Sequence, residues 1–388
     1  MITGAATQQG TMNYAVKYPH LSYEPLVPGG MHISSAGFGC YRVDVRRGEH
    51  EQALTCALLS GINLIDTSAN YADGGSERLV GKVLGDLVLA GKIKREEVVV
   101  VSKVGYLQGE NYSLSQERKA AGRPFPDLVL YDEGLEHCIH PEFLAEQLTR
   151  SLGRLGLERV DCYLLHNPEY YLNWAKGQKV PKAEARIEYL RRIRLAFLQL
   201  EAEVKAGRIQ YYGISSNSFP HPSNHFDFTS LTEIWDIAQS ISENHHFRVI
   251  QFPLNLFESA GVMENNQPDG KSIVEFAVTK GMGILTNRPL NAIQNGDLIR
   301  LAENVYQGEG IRQVNEFKDK LAALDSSWGN IPTLSQLSLR VLRSTIGIKA
   351  ILIGMRRQVY VEDVLQELGK PCESVTSKKT WEAINKLS

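Results

Sequence analysis

Short apolar runs, each ending at a polar or charged residue, recur along this chain from about residue 35, and longer stretches with helical spacing of apolar positions lie between them. Residues 34–43 (SSAGFGCYRV) read as a strand and 49–61 (EHEQALTCALLSG) as an amphipathic helix closed by Gly61. Residues 62–66 (INLID) form a strand, followed by a helix over 76–91 with Ser76 as its expected N-cap. Residues 96–105 (EEVVVVSKVG) are apolar and β-branched, and the helix over 141–156 has Pro141 at its start and Gly156 past its end. The alternation continues with strands at 159–166, 211–217, 248–255, 282–287 and 349–354, and helices at 186–208, 230–241, 272–281, 333–345 and 359–368.

Eight strands alternating with eight helices indicate the α/β class, and the near-continuous apolar character of the strands suits parallel strands buried on both faces. Eight such units closing on themselves make a (β/α)8 TIM barrel. A doubly wound sheet is the structural alternative. Against it, no G-x-G-x-x-G opens a strand-to-helix turn (GFGCYR carries Arg42 where the third glycine belongs), and there is no Walker A motif. The expected organisation is a single domain over 1–388, with a barrel over about 33–368 and an N-terminal extension over 1–32 that forms a short strand pair or extended segment across the barrel floor. A C-terminal helix is expected within 370–388. Long insertions follow the third strand (105–140), the fourth (167–182) and the seventh (288–330), on the face where barrels of this kind carry their active sites.

Composition narrows the function classes. The chain has 388 residues, 43% hydrophobic and 22% charged, with a formal net charge of −2 from 42 basic and 44 acidic residues. That balance offers no electrostatic footprint for nucleic acid. No apolar run is long enough for a membrane helix, and the N-terminal stretch lacks the apolar core of a signal peptide. Five widely spaced cysteines without a C-x-x-C motif fit reduced thiols and a cytoplasmic location. His245 and His246 lack acidic or cysteine neighbours at ligand spacing, so no metal is expected. The basic run RRIRLAFLQLEAEVKAGR reads as the solvated face of a helix.

The strand ends carry the chemistry. They offer Asp66, Lys103, His166, the Ser215–Ser216–Asn217 run, Gln251, the pair Asn287–Arg288, and Gly354 with Arg356. In a barrel these side chains converge at one mouth. Tyr71, just past Asp66, is a candidate general acid. A free phenol titrates near pH 10, and a nearby ammonium such as that of Lys103 lowers its pKa by favouring the phenolate. Asp66 would hold the lysine, and His166 would hydrogen-bond a substrate oxygen. A lysine ending a four-valine strand is costly to bury unless paired. The aromatic segment NPEYYLNW after His166 either lines the mouth or packs the loop.

These segments resemble the aldo-keto reductase superfamily. LIDTSANYADGGSERLVGKVL is similar to its Asp-to-Tyr motif, VVVVSKVG to its lysine strand, DCYLLHNPE to its histidine strand, YYGISSNSF to its Gly-Val-Ser-Asn-Phe strand, and GMRRQVYVEDVL to its cofactor-phosphate loop and last helix. The resemblance implies a barrel that binds NADP(H) in extended form and reduces a carbonyl by hydride transfer, with Asp66, Tyr71, Lys103 and His166 as the catalytic tetrad. It implies cofactor contacts from Gly39, Cys40, Tyr41, Asp66, Ser215, Ser216, Gln251, Asn287, Arg288, Gly354, Arg356, Tyr360 and Asp363. Arg356 would meet the 2′-phosphate, with Arg357 behind it, and Asp363 the adenine. The chain departs from the family pattern at Asn287, which replaces a ring that stacks on the nicotinamide, at Cys40, where threonine is common, and at Ser216, which puts Asn217 one position late. The expected partner is a small-molecule carbonyl: an aldehyde, ketone or sugar-like substrate. A regulatory or sensor subunit that binds NADP(H) with little turnover is the alternative. An unrelated barrel aldolase using Lys103 as a Schiff base is a third reading. None of these motifs encodes the physiological substrate or the oligomeric state.

Overall fold

The eight apolar runs close on themselves. In the computed structural model, which describes residues 1–294, 297–301, 309–372 and 376–387, the strands are β1 (Ala36–Gly39), β2 (Leu64–Asp66), β3 (Val99–Val104), β4 (Val160–His166), β5 (Ile209–Ser215), β6 (Phe247–Pro253), β7 (Gly283–Asn287) and β8 (Ala350–Ile353). Each pairs in parallel with its sequence neighbours, and β8 pairs with β1, so the barrel is closed. The helices that follow them are α1 (Gly48–Leu59), α2 (Gly75–Leu89), α3 (Pro141–Leu155), α4 (Lys182–Lys205), α5 (Leu231–Ile241), α6 (Ile273–Thr279), α7 (Leu334–Arg343) and α8 (Gln358–Leu368).

The strands are apolar throughout because the barrel has two cores. Leu64, Val99, Val101, Cys162, Leu164, Val249, Leu285, Ala350 and Leu352 point inward and pack together. The alternate residues, among them Ile65, Val100, Tyr163, Leu165, Ile250, Ile284 and Ile351, pack outward under the helices. The floor is sealed by the antiparallel pair Tyr23–Pro25 and His32–Ser34, whose Leu26, Val27, Met31 and Ile33 join the inner core. Gly283 makes room for this plug: a Cβ there would lie 2.6 Å from the Leu26 side chain.

Two local expectations are corrected. The N-terminal extension also contains a helix, Gln8–Val16, capped by the Thr7 hydroxyl. Its sequence, QQGTMNYAV, has no clear apolar stripe, and it is held by packing against the turn Arg95–Glu97. Helix α2 begins earlier than expected, with Gly74 (φ 77°) and not Ser76 at its N-cap. Ser76 is buried and its hydroxyl lies 2.7 Å from Thr67 Oγ1, so it ties the helix to the end of β2.

The insertions rise at the carboxyl ends of the strands. Residues after β3 form a helix, Gly109–Ala120, and a three-stranded sheet of Tyr106–Leu107, Val129–Asp132 and Leu135–His137. Those after β4 include the helix Tyr170–Gly177. Those after β7 include the strand pair Asn291–Gln294 and Asp297–Arg300 and the helix Glu309–Ala322. Residues 295–296 and 302–308 of this insertion, and 373–375 and 388 at the C-terminus, lie outside the described residues. The C-terminal helix, Lys378–Asn385, buries Trp381. The basic face of α4 is less solvated than expected: Arg192 donates to Asp127 O at 2.6 Å and lies 4.0 Å from the centre of the Tyr171 ring. Among the described residues no helix is long and apolar enough to cross a membrane, and no cysteine is in a disulfide.

Candidate active site

Because the strands run parallel and in register, the residues that end them meet at one rim. Asp66 closes β2, Lys103 sits one residue from the end of β3, and His166 closes β4. Lys103 is fully buried, and its Nζ donates to Asp66 Oδ2 at 2.7 Å, to Thr67 O at 3.0 Å and to Tyr71 Oη at 3.3 Å. The ammonium thus has three acceptors, one of them its counter-ion, which is what a buried charge requires. Burial opposes its charge, but Asp66 and Tyr71 outweigh that effect and raise the Lys103 pKa above its usual value.

Tyr71 departs from expectation. Burial pushes its pKa up to about 12, and the lowering by Lys103 offsets only part of that shift. The phenol therefore keeps its proton at neutral pH. The His166 ring stands edge-on to Tyr71 at 5.8 Å between centroids. Burial, with Lys103 and His137 nearby, holds the His166 pKa well below the usual imidazole range. A neutral imidazole can orient an oxygen through a hydrogen bond but has no spare proton to give up.

Several residues that sequence reasoning missed support this group. The Ser68 hydroxyl lies 3.1 Å from His166 Nδ1 and 2.7 Å from Asn70 Oδ1. His137 Nε2 donates to His166 O at 2.8 Å. Tyr106 packs edge-on to His166 at 4.8 Å, and Tyr170 packs against Tyr106, Tyr131 and His137. From the segment NPEYYLNW, Tyr170 thus backs the Tyr106 ring that faces the histidine, while Tyr171 packs against Trp174 and Arg192. Ser68 was legible in the motif DTSANY. Tyr106 and His137 had no signal, since the inserted sheet brings them to the rim.

On the other side of Asp66 a chain of amides runs along the rim. Gln251 Nε2 donates to Asp66 Oδ1 at 2.9 Å, and Gln251 Oε1 accepts from Ser215 Oγ at 2.9 Å and from Asn287 Nδ2 at 3.4 Å. Asn287 Oδ1 is buried with no hydrogen-bond partner. An orphaned carbonyl beside paired amide and hydroxyl groups fits the carboxamide of a nicotinamide, which carries the missing donor. The Ser216 hydroxyl faces away, toward Ser218 and Thr229 at 3.2 and 3.3 Å. Asn217 Oδ1 accepts from Arg288 Nη2 at 3.3 Å, and Arg288 also pairs with Glu258 at 3.2 Å. Asn217, Arg288, Pro253, Phe257 and Glu258 line a cleft of about 580 Å³ whose lining includes none of Asp66, Tyr71, Lys103 and His166.

Gly39 and Cys40 are packed in the wall of the mouth, and a Cβ on Gly39 would lie 3.1 Å from Ile353 O. Cys40 is fully buried, and Tyr41 is exposed with its ring 5.2 Å from that of Tyr71. Past β8, Gly354 and Arg356 are exposed, and Arg356 has no ion pair among the described residues, whereas Arg357 pairs with Glu49 at 3.4 Å. Tyr360 is half-buried in α8, and Asp363 Oδ1 accepts from Gln336 Nε2 at 2.8 Å, so it is already engaged. His246, expected to lack an acidic partner, has one: its Nδ1 lies 2.9 Å from Glu201 Oε2 of α4.

A sequence profile described as "Aldo/keto reductase family" matches residues 25–387. An L-glyceraldehyde 3-phosphate reductase of Escherichia coli K12 is 22% identical over 360 residues, covering 91% of this chain and 89% of that protein. A methylglyoxal reductase of the same organism, described as NADH-specific, is 35% identical over 106 residues, but that match spans only 27% of either chain. Among solved structures, the holo form of an aldo-keto reductase from Bacillus halodurans superposes with a TM-score of 0.61 at 16% identity, covering 95% of this chain and 98% of that one. The profile begins in the floor hairpin and ends just past the C-terminal helix, and with the same closed barrel found in the structural comparison this makes the chain a member of the aldo/keto reductase family.

Proposed function

We propose that the protein is an NADP(H)-dependent oxidoreductase that interconverts a carbonyl (aldehyde, ketone or sugar-like) and its alcohol, with Tyr71 as the general acid and base. The observation that carries this reading is the Tyr71 hydroxyl 3.3 Å from a Lys103 ammonium that Asp66 holds at 2.7 Å, beside a neutral His166. The bound nicotinamide would supply or accept the hydride. Tyr71 would donate its proton to the carbonyl oxygen, and Lys103 would favour the phenolate left behind. His166 would orient the same oxygen, so the acid role falls to the tyrosine. Gln251, Ser215 and Asn287 would hold the carboxamide, and Arg356 the 2′-phosphate, since a free guanidinium suits a dianion.

The residues thought to carry the chemistry are thereby separable from those thought to hold the cofactor. Tyr71→Phe should abolish reduction of 4-nitrobenzaldehyde while leaving NADPH affinity, followed by fluorescence, nearly unchanged. Retention of most of the activity would remove Tyr71 from the mechanism.

A further inference from the structure

The loop after β5 gathers three side chains that neither the barrel core nor the proposed chemistry uses. His221, His225 and Asp227 place their ligand-type atoms all within 4.8 Å of one another. His221 Nδ1 and Asp227 Oδ1 are 3.0 Å apart, and the rings of His221 and His225 are 5.4 Å apart. A simple histidine–aspartate pair would account for the first contact. It does not account for His225, whose exposed imidazole has no hydrogen-bond partner among the described residues.

The backbone that presents these groups is held in place. Ser218 and Thr229 clasp the base of the loop through hydroxyls 2.8 Å apart. Asn266 Nδ2 donates to both Phe219 O and His221 O at 2.8 Å. His225 N donates to Pro222 O at 2.9 Å, and Lys182 Nζ to Asn224 O at 2.8 Å. The nearby Arg186 is neutralised by Glu233. Such a loop loses little further freedom when its side chains converge on one point.

We propose that His221, His225 and Asp227 form a site for a divalent transition-metal ion, with Zn2+ the best match, on the rim next to the cleft that His221 also lines. Two imidazoles and one carboxylate suit zinc and its neighbours and not magnesium, which prefers oxygen ligands alone. With metal–ligand bonds of about 2.0–2.2 Å, ligand atoms around one ion stand roughly 3.0–3.5 Å apart. The His221–Asp227 spacing already meets that requirement, and the exposed His225 side chain is free to rotate the remaining distance. With three protein ligands, the ion would keep a position open to water.

The test is calorimetric titration of Zn2+ into chelator-treated full-length protein, with Mg2+ as the control. One equivalent of Zn2+ should bind, Mg2+ should not, and X-ray absorption at the zinc edge should show only nitrogen and oxygen donors. His225→Ala and Asp227→Asn, each checked for an unchanged metal-free melting temperature, should weaken binding by roughly tenfold or more. Binding of Mg2+ as tight as Zn2+, sulfur in the zinc shell, wild-type Zn2+ affinity in either variant, or no binding to the wild type would each overturn the proposal.

Discussion

Replacing Lys103 by methionine separates the electrostatic role of this residue from its packing role, because methionine keeps much of the volume and removes the charge. The structure sets the size of the effect. Lys103 is fully buried and holds Asp66 at 2.7 Å, so its loss leaves a buried carboxylate with only the Gln251 amide. Breaking a buried ion pair on one side costs about 3–5 kcal/mol, against a total stability of about 5–15 kcal/mol. Urea unfolding should show a loss of that order. Removing the second charge, in Lys103→Met with Asp66→Asn, should recover part of it, because the uncompensated carboxylate is gone. The kinetic effect has its own sign. Tyr71 sits at about 12 with Lys103 pulling it down, so the variant's phenol must titrate still higher. On the proposed mechanism alcohol oxidation needs the phenolate, and each further pKa unit removes about nine-tenths of it at a given neutral pH. The oxidation rate should therefore fall at pH 8 and recover only at more alkaline pH. An unchanged pH–rate profile would refute the coupling between Lys103 and Tyr71, and a double variant less stable than Lys103→Met would refute the ion-pair account.

Arg356→Ala should weaken NADP(H) by roughly 1.5–3 kcal/mol and leave NAD(H) nearly unchanged; equal losses would remove Arg356 from 2′-phosphate recognition, and a wild type that prefers NAD(H) would refute the NADP(H) reading itself. Glu169 is buried with Oε1 accepting from Asn217 N at 2.8 Å, Oε2 unpartnered and a pKa raised by burial to about 7. A raised carboxylate pKa contributes stability that is present below its unfolded value and lost as pH rises through the folded one. The stability of Glu169→Gln relative to wild type should accordingly grow by about 1.4 kcal/mol per pH unit between roughly pH 4.5 and 7, and a constant difference in urea midpoints at pH 5 and 8 would contradict it. Tyr106, which faces His166, and Tyr170, which packs on Tyr106, should control substrate choice: Tyr170→Ala should change relative kcat/KM across a carbonyl panel more than it changes cofactor affinity, and the reverse result would assign this aromatic cluster to cofactor binding.

The barrel was legible because its signal is local and repeated. Each strand is an apolar run such as VVVVSKV, and each helix has its own apolar spacing and end signals, so Pro141 and Gly156 mark α3 without any knowledge of its neighbours. The convergence of Asp66, Lys103 and His166 followed from the same logic, since parallel strands in a closed barrel bring their ends to one rim. What the sequence left undetermined depends on the surroundings of each group. The helix Gln8–Val16 has no apolar stripe to announce it and exists because it packs against the turn at Arg95–Glu97. Ser76 has the composition of an N-cap, but its hydroxyl is drawn inward to Thr67, and Gly74 takes the terminus because it tolerates a positive φ. The sign of the Tyr71 shift depends on how much water the folded rim excludes, and there desolvation outweighs the ammonium that the sequence placed beside it. Tyr106 and His137 reach the histidine only because an inserted sheet folds back over the barrel mouth. Local patterns therefore determined which elements form and in what order, while burial and long-range packing decided the protonation states and the walls of the site, because both depend on neighbours distant in the chain.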